Sequence, residues 1–246
     1  MVQTFTQGRR DRSVPPHLVN GVSKYGYALV SSDYRLAPQT GVREILQDVK
    51  DCIAFIRNEL AAKLGGDALD PTRLVVSGSS AGGYLTLLTG LYVEPKPSAL
   101  LCIYPITDPL GQFFSSPQPD EIVDPALVAE FLNVDGEVVG NNAPGPRDKM
   151  YNHMLENANY AQLLQVSGDE FRISKNIDRC GLPPTYIVHG DADIDVGVDQ
   201  VDEVVGVMVG LGLEVVYKRP RGVAHSFDLT EDITMDDMYE FMQKYL

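Results

Sequence analysis

The sequence predicts an α/β fold: a mostly parallel sheet flanked by helices, with a helical cap inserted into it. Three observations predict it. Short runs dominated by apolar residues, at 74–76, 99–104 and 184–189, lack the polar alternation of a half-exposed strand, as strands covered on both faces do. Segments with apolar residues at helical spacing alternate with these runs. From Asp108 to Cys180 the alternation stops, in a stretch rich in Pro, Gly, Asn and Asp that is too long for a loop without structure of its own. The expected division is a sheet domain of residues 1–107 and 181–246, with a cap or lid of residues 108–180.

Taken in order, Pro15 and Pro16 suit the first turn of a helix reaching about Lys24. Residues 27–32 read as a strand, and Pro38 ends the loop behind it. Ile45, Leu46, Val49, Cys52, Ile53, Ile56 and Leu60 follow helical periodicity across 43–63, and Gly65 and Gly66 end that helix. Asp70-Pro71 marks a loop before the strand Leu74-Val75-Val76. Leu85, Leu87, Leu88 and Leu91 then recur near helical spacing, and Pro95 and Pro97 break the chain. Residues 99–104 form the next strand, stopped at Pro105. Within the cap short pieces such as 125–132 and 151–164 read as helical, and no strong strand is read. Residues 184–189 are a strand, 198–211 a helix that Gly212 is placed to close, 213–218 a last strand, and 235–245 a terminal helix.

At 246 residues the chain is long enough to bury a sizeable core. Its net charge of −14 argues against nucleic acid and anionic membrane surfaces as partners. There is no apolar run long enough to span a bilayer, and residues 1–10 have no apolar core before their arginines, so no secretory signal is read. Cys52, Cys102 and Cys180 are too widely spaced for a metal cluster or disulfide framework. They are expected to be reduced, buried thiols in a cytoplasmic protein.

Between the strand at 74–76 and the helix after it lies Gly78-Ser79-Ser80-Ala81-Gly82, a G-x-S-x-G sequence. A strand that turns sharply into a helix needs small residues around the turn, because a Cβ there would meet neighbouring backbone. Such a turn holds the Ser80 hydroxyl up at the end of the sheet, at a helix N-terminus. A serine hydroxyl is a poor nucleophile near neutral pH. It needs a histidine to take its proton and a carboxylate to orient that histidine. In a parallel sheet both must come from loops at the carboxyl ends of strands. Two loops qualify: His189-Gly190-Asp191-Ala192-Asp193, and Arg221 to Phe227 with His225 at its centre. Asp191 and Asp195 compete with Asp193 for the acid, and the H-G-x-x-D spacing favours Asp193. His189 reads as structural, and His17 and His153 lack supporting context. The order Ser80, Asp193, His225 is the Ser…Asp…His order of α/β-hydrolases. The Ala81 N–H, after the nucleophile, would donate to an oxyanion. Tyr84 and Ser79 are candidate substrate contacts, and Phe113, Phe114, Phe131 and Tyr151 are candidate pocket aromatics. This chemistry implies no cofactor and no metal.

The chain resembles the hormone-sensitive-lipase-like esterases of the α/β-hydrolase fold, particularly their fungal members. The resemblance rests on Asp33-Tyr34-Arg35-Leu36-Ala37-Pro38, Gly78 to Gly83, His189 to Asp193 and Gly222-Val223-Ala224-His225, in the family's order and across most of the chain. It implies carboxylic-ester hydrolysis of small to medium uncharged acyl esters, with nucleophile Ser80, base His225, acid Asp193 and a cap over the acyl pocket. One departure stands out. The family has strands ending in a His-Gly-Gly-Gly loop that supplies most of the oxyanion hole, and Phe5 to Gly8 resemble the residues just after that loop. The chain therefore reads as N-terminally truncated relative to the family. This opens an alternative: a catalytically impaired or inactive hydrolase-fold protein that binds a small molecule. Thioester hydrolysis or acyl transfer by the same triad is a further alternative. An exposed sheet edge would favour a homodimer.

Overall fold

The computed structural model describes residues 14–66, 69–118, 122–140 and 147–246. The tract 5–8, which carries part of the resemblance, lies outside the described residues. The chain enters through α1 (Pro16–Tyr25), with prolines before and at its first position and Gly26 closing it at φ 70°. α2 (Val42–Phe55) runs through a π-helical turn at Ile56–Leu60 into α3 (Ala61–Lys63). β1 (Val75–Ser79) leads directly into α4 (Ala81–Tyr92), and β2 (Ala99–Ile103) follows. Then come α5 (Gln112–Ser115), a 3-10 turn at Pro125–Leu127, α6 (Met150–Asn157), α7 (Tyr160–Leu163) and α8 (Ile173–Cys180). β3 (Thr185–Val188), α9 (Asp199–Gly210), β4 (Val215–Lys218) and α10 (Asp236–Gln243) complete the chain.

The four strands form one sheet in the order β1-β2-β3-β4, and every pair is parallel. Their register aligns the strand ends. Ser79 pairs with Ile103, Ile103 with Val188, and Val188 with Lys218, so all four strands end on one line. The residues just beyond are held in the same row by backbone bonds: Ser80 N–H donates to Ile103 O at 3.0 Å, Tyr104 N–H to Val188 O at 2.6 Å, and His189 N–H to Lys218 O at 3.0 Å.

Strand alternation divides the interior into two cores. Leu100, Cys102 and Ile187 face a core built with α2, α4, α8 and α9, whereas Ala99, Leu101, Ile103, Tyr186 and Val188 face Met238, Tyr239, Phe241 and Met242 of α10. α4 is buried nearly all round, which its sequence, free of charged residues and mostly apolar, allows. Its two threonines satisfy their hydroxyls on carbonyls one turn back, Gly82 O and Leu85 O.

The segment between β2 and β3 is closed at its base. Ile173 N–H donates to Thr107 O, and the Arg172 guanidinium makes a two-point bond to Asp108 at 2.8 and 3.0 Å. α8, which the periodicity of the sequence did not single out, packs against α4 and α9 in the layer covering the sheet. The helical stretch expected at 151–164 is two helices, interrupted where Ala158 takes left-handed backbone at φ 50°. At 125–132 only one 3-10 turn forms, capped by the Asp124 carboxylate on Ala126 N–H.

Two expectations are corrected. Residues 27–32 are not a strand: they join no sheet ladder among the described residues, and an apolar run becomes a strand only where a neighbouring strand supplies partners for its backbone. Leu29 and Val30 are exposed there. All three cysteines are free, but only Cys102 is buried; Cys52 and Cys180 are half-buried. Among the described residues, no helix is long and apolar enough to cross a membrane.

Candidate active site

Ser80 occupies the turn between β1 and α4 in left-handed backbone, at φ 54° and ψ −122°. A non-glycine residue adopts this only where its surroundings over-determine it. The flanking glycines do so. A Cβ on Gly78 would lie 2.2 Å from the Gly82 carbonyl oxygen, and one on Gly83 would lie 2.7 Å from the Pro105 ring. Ala81 is the first residue of α4, so its N–H belongs to the opening turn, where the helix provides no carbonyl partner.

The loops after β3 and β4 are pressed together. A Cβ on Gly190 would meet Val223 O at 2.1 Å. Asp191 N–H donates to Pro220 O, Ala192 N–H to Val223 O, and Gly222 N–H to the Asp191 carboxylate at 2.6 Å. Asp191, a rival for the acid, is thus the brace between the loops. Asp193 meets the histidine: His225 Nδ1 lies 2.7 Å from Asp193 Oδ2. Asp195 contributes its backbone, as its N–H and that of Val196 both donate to Asp193 Oδ1 at 2.9 Å.

His189 takes part in a way its strand-end position did not foretell. Its Nε2 lies 3.0 Å from Asp193 Oδ2 and 3.1 Å from Val196 O. Both neighbours are acceptors, so Nε2 carries the proton. Its four-residue spacing from Asp193 was the available signal. Burial is the largest single influence on the Asp193 carboxyl and pushes its pKa up. The donors from His189, His225 and the Val196 backbone, with the nearby charge of His225, outweigh it and hold the group well below the usual carboxylate range.

Tyr84 and Ser79, the candidate substrate contacts, lie in the interior. Tyr84 is fully buried and its hydroxyl donates to Phe171 O at 2.5 Å. Ser79 is buried within reach of the Tyr104 hydroxyl. Among the aromatics, Phe114 stacks on Tyr160 with centroids 4.2 Å apart, whereas the Tyr151 hydroxyl donates to Asp195 O and so joins α6 to the acid loop. Arg35 makes a two-point bond to Asp48 of α2, bracing its loop. Ligand atoms of Asp193, Asp195 and His225 come within 4.8 Å of one another, but two of them already hydrogen-bond each other.

The model of the BD-FAE family matches residues 5–207. The chain belongs to the BD-FAE family. Among relatives of this BD-FAE chain, esterase LipC of Mycobacterium tuberculosis is 27% identical over 217 residues, covering 87% of the chain and 48% of LipC. The non-reducing polyketide synthase pkbA of Emericella nidulans is 24% identical, over 90% of the chain and 11% of the synthase. The chain thus spans half or less of the length of these curated relatives. Among solved structures, an alpha/beta hydrolase superfamily protein from Enterococcus faecalis superposes with a TM-score of 0.74 at 19% identity, covering 98% of the chain and 86% of that protein. Esterase LipW of Mycobacterium marinum gives 0.67 at 22% identity, with coverage of 99% and 70%. This BD-FAE member has the α/β-hydrolase fold, in an esterase-like family.

Proposed function

We propose that the chain is a serine carboxylic-ester hydrolase acting on small to medium uncharged acyl esters. The observation that carries this is the pairing of His225 Nδ1 with the Asp193 carboxylate at 2.7 Å, beside a serine held in strained backbone at the same sheet edge. With Nδ1 engaged by Asp193, Nε2 of His225 is the nitrogen left to take the Ser80 hydroxyl proton as the oxygen attacks the acyl carbon. Asp193 then faces the imidazolium that forms. The Ala81 N–H and the positive end of α4 meet the developing oxyanion. His225 returns the proton to the leaving alcohol, and water, activated by the same histidine, releases the acid from the acyl-enzyme. A net charge of −14 favours uncharged substrates over anionic ones. Residues 108–172 act as the cap, tied to the acid loop through Tyr151 and Asp195, while α8, at the end of the expected 108–180 segment, belongs to the layer on the sheet.

The test is a fluorophosphonate and a short-chain chromogenic ester, applied to wild type and Ser80→Ala. Labelling at Ser80, with turnover lost in the variant, is the expected result. A folded wild type that neither labels nor turns over sinks the proposal in favour of a small-molecule binder.

The matches to segments of non-reducing polyketide synthases favour a second reading, in which Ser80 takes its acyl group from a thioester. Acyl thioester and oxygen-ester substrates compared side by side, with product analysis for free acid against transferred acyl, separate the two.

A further inference from the structure

Three buried polar side chains near the site have no part in the triad: Tyr104, Asp228 and His17. Tyr104 follows β2 and stands in the row between Ser80 and His189. Its backbone is left-handed at φ 36°, a conformation a bulky aromatic residue rarely adopts. Ser80 and Ser226, the residue after His225, are also left-handed, at φ 54° and 60°. Two of these three residues adjoin His225, Tyr104 through its ring and Ser226 as its chain neighbour, and strain of this kind collects where geometry serves a site.

The conformation of Tyr104 places its ring against His225, with centroids 4.3 Å apart and planes at 50°. The phenol is anchored behind. Its hydroxyl donates to Asp228 Oδ1, and the other carboxylate oxygen lies 3.3 Å from His17 Nε2. His17 Nδ1 and the Tyr239 hydroxyl are 2.8 Å apart, so the chain of bonds reaches α1 and α10. Among the described residues, His225 has Asp193, Asp195 and Tyr104 around it, and Asp228 has Tyr104, His17 and Tyr239; the Tyr104 phenol also lies within hydrogen-bond reach of Ser79 and Ser226.

A single hydrogen bond at Nδ1 fixes one atom of the imidazole and leaves its plane free to turn about that bond. We propose that Tyr104 is a positioning residue for His225: anchored on Asp228 and His17, its ring fixes the imidazole plane so that Nδ1 faces Asp193 while Nε2 faces Ser80. The proposal rests on the assignment of Ser80, Asp193 and His225 as the triad. It also makes α1, which lies outside the sheet, part of the support of the site.

The experiment compares Tyr104→Leu, Tyr104→Phe and Asp228→Asn with wild type, each checked for folding by thermal unfolding. Tyr104→Leu is expected to lower kcat by on the order of tenfold to a hundredfold with KM within about twofold, and Tyr104→Phe, which keeps the ring, to rescue most of it. Unchanged kcat in folded Tyr104→Leu, or a loss carried by KM alone, overturns the proposal. A second readout does not depend on turnover: the low-field proton resonance of the His225 Nδ1–H in ring-labelled protein. It is expected in wild type and Tyr104→Phe and lost to solvent exchange in Tyr104→Leu; its persistence there overturns the proposal. If wild type shows the resonance but Ser80 does not label, the esterase assignment fails while the resonance still decides the role of Tyr104. Should Tyr104→Leu not fold, Tyr104→Phe and Asp228→Asn decide. Each keeps the ring but weakens its anchor, so each is expected to lower kcat by only about twofold to fivefold and to broaden the resonance without abolishing it; a kcat and a resonance identical to wild type in both variants overturn the proposal.

Discussion

His189 Nε2 donates to Asp193 Oδ2 across 3.0 Å, the same oxygen that His225 Nδ1 meets at 2.7 Å. One carboxylate oxygen therefore divides its charge between two imidazoles. Removing the His189 donor in His189→Leu takes away one of the bonds that hold the Asp193 carboxylate in place. The variant is expected to lose about threefold to tenfold in kcat as Asp193 loosens. His189→Gln, whose amide N–H can replace the lost donor, should stay close to wild type. Steady-state kcat of the three proteins checks this; equal values in all three would count against it.

Asp193 has its pKa held well below the ordinary carboxylate range, because its donors outweigh the upward push of burial. A group depressed in the folded state contributes stability that is fully present above its unfolded value, near ~3.9, and is lost as pH falls through its folded value. In Asp193→Asn this contribution is absent. Thermal midpoints of wild type and variant are expected to differ at neutral pH and to converge as pH drops below about 4. Parallel curves would refute the linkage. At pH 7 the variant should lose on the order of 10³ to 10⁴ in kcat.

Gly78 is held against backbone that cannot give way, since an added Cβ would lie 2.2 Å from Gly82 O. Gly78→Ala is expected to cost about 1–3 kcal/mol of stability and to abolish fluorophosphonate labelling, because the turn that presents Ser80 must open. Gly206, in α9, faces open space. Gly206→Ala is the control and should stabilise by roughly 0.5–1 kcal/mol. Urea unfolding of both variants measures the contrast.

Tyr84 tests the boundary between core and pocket. Its hydroxyl donates to Phe171 O in the interior. Tyr84→Phe leaves that carbonyl without its donor and is expected to cost about 1 kcal/mol. KM for short-chain esters should not move. A KM change without a stability change would put Tyr84 back on the substrate.

Much of this architecture was legible in the residues. The strands at 99–103, 185–188 and 215–218 form where apolar runs stand between turn residues, and Gly212, at φ 69°, closes the helix its position implied. Gly78-Ser79-Ser80-Ala81-Gly82 forms a strained strand-to-helix turn because only small residues fit its packing. The failures have different causes. Residues 27–32 have the composition of a strand, but a strand exists only beside another. α8 was missed although Ile173, Ile177 and Cys180 recur at helical spacing, because the stretch is only eight residues long and lies at the end of a segment rich in turn residues.

Local chemistry, then, was written in the chain: which stretches are apolar, where the backbone must turn, and that Ser80, Asp193 and His225 follow strands. The alignment of strand ends was not, because register arises from pairing between segments far apart in sequence. That alignment puts Tyr104 and His189 in a row with Ser80. His17 and Asp228 are 211 residues apart and carry no motif. Only the closing of α1 and the 227–229 turn over the sheet edge gives them a shared burial, and with it a hold on the ring that backs His225.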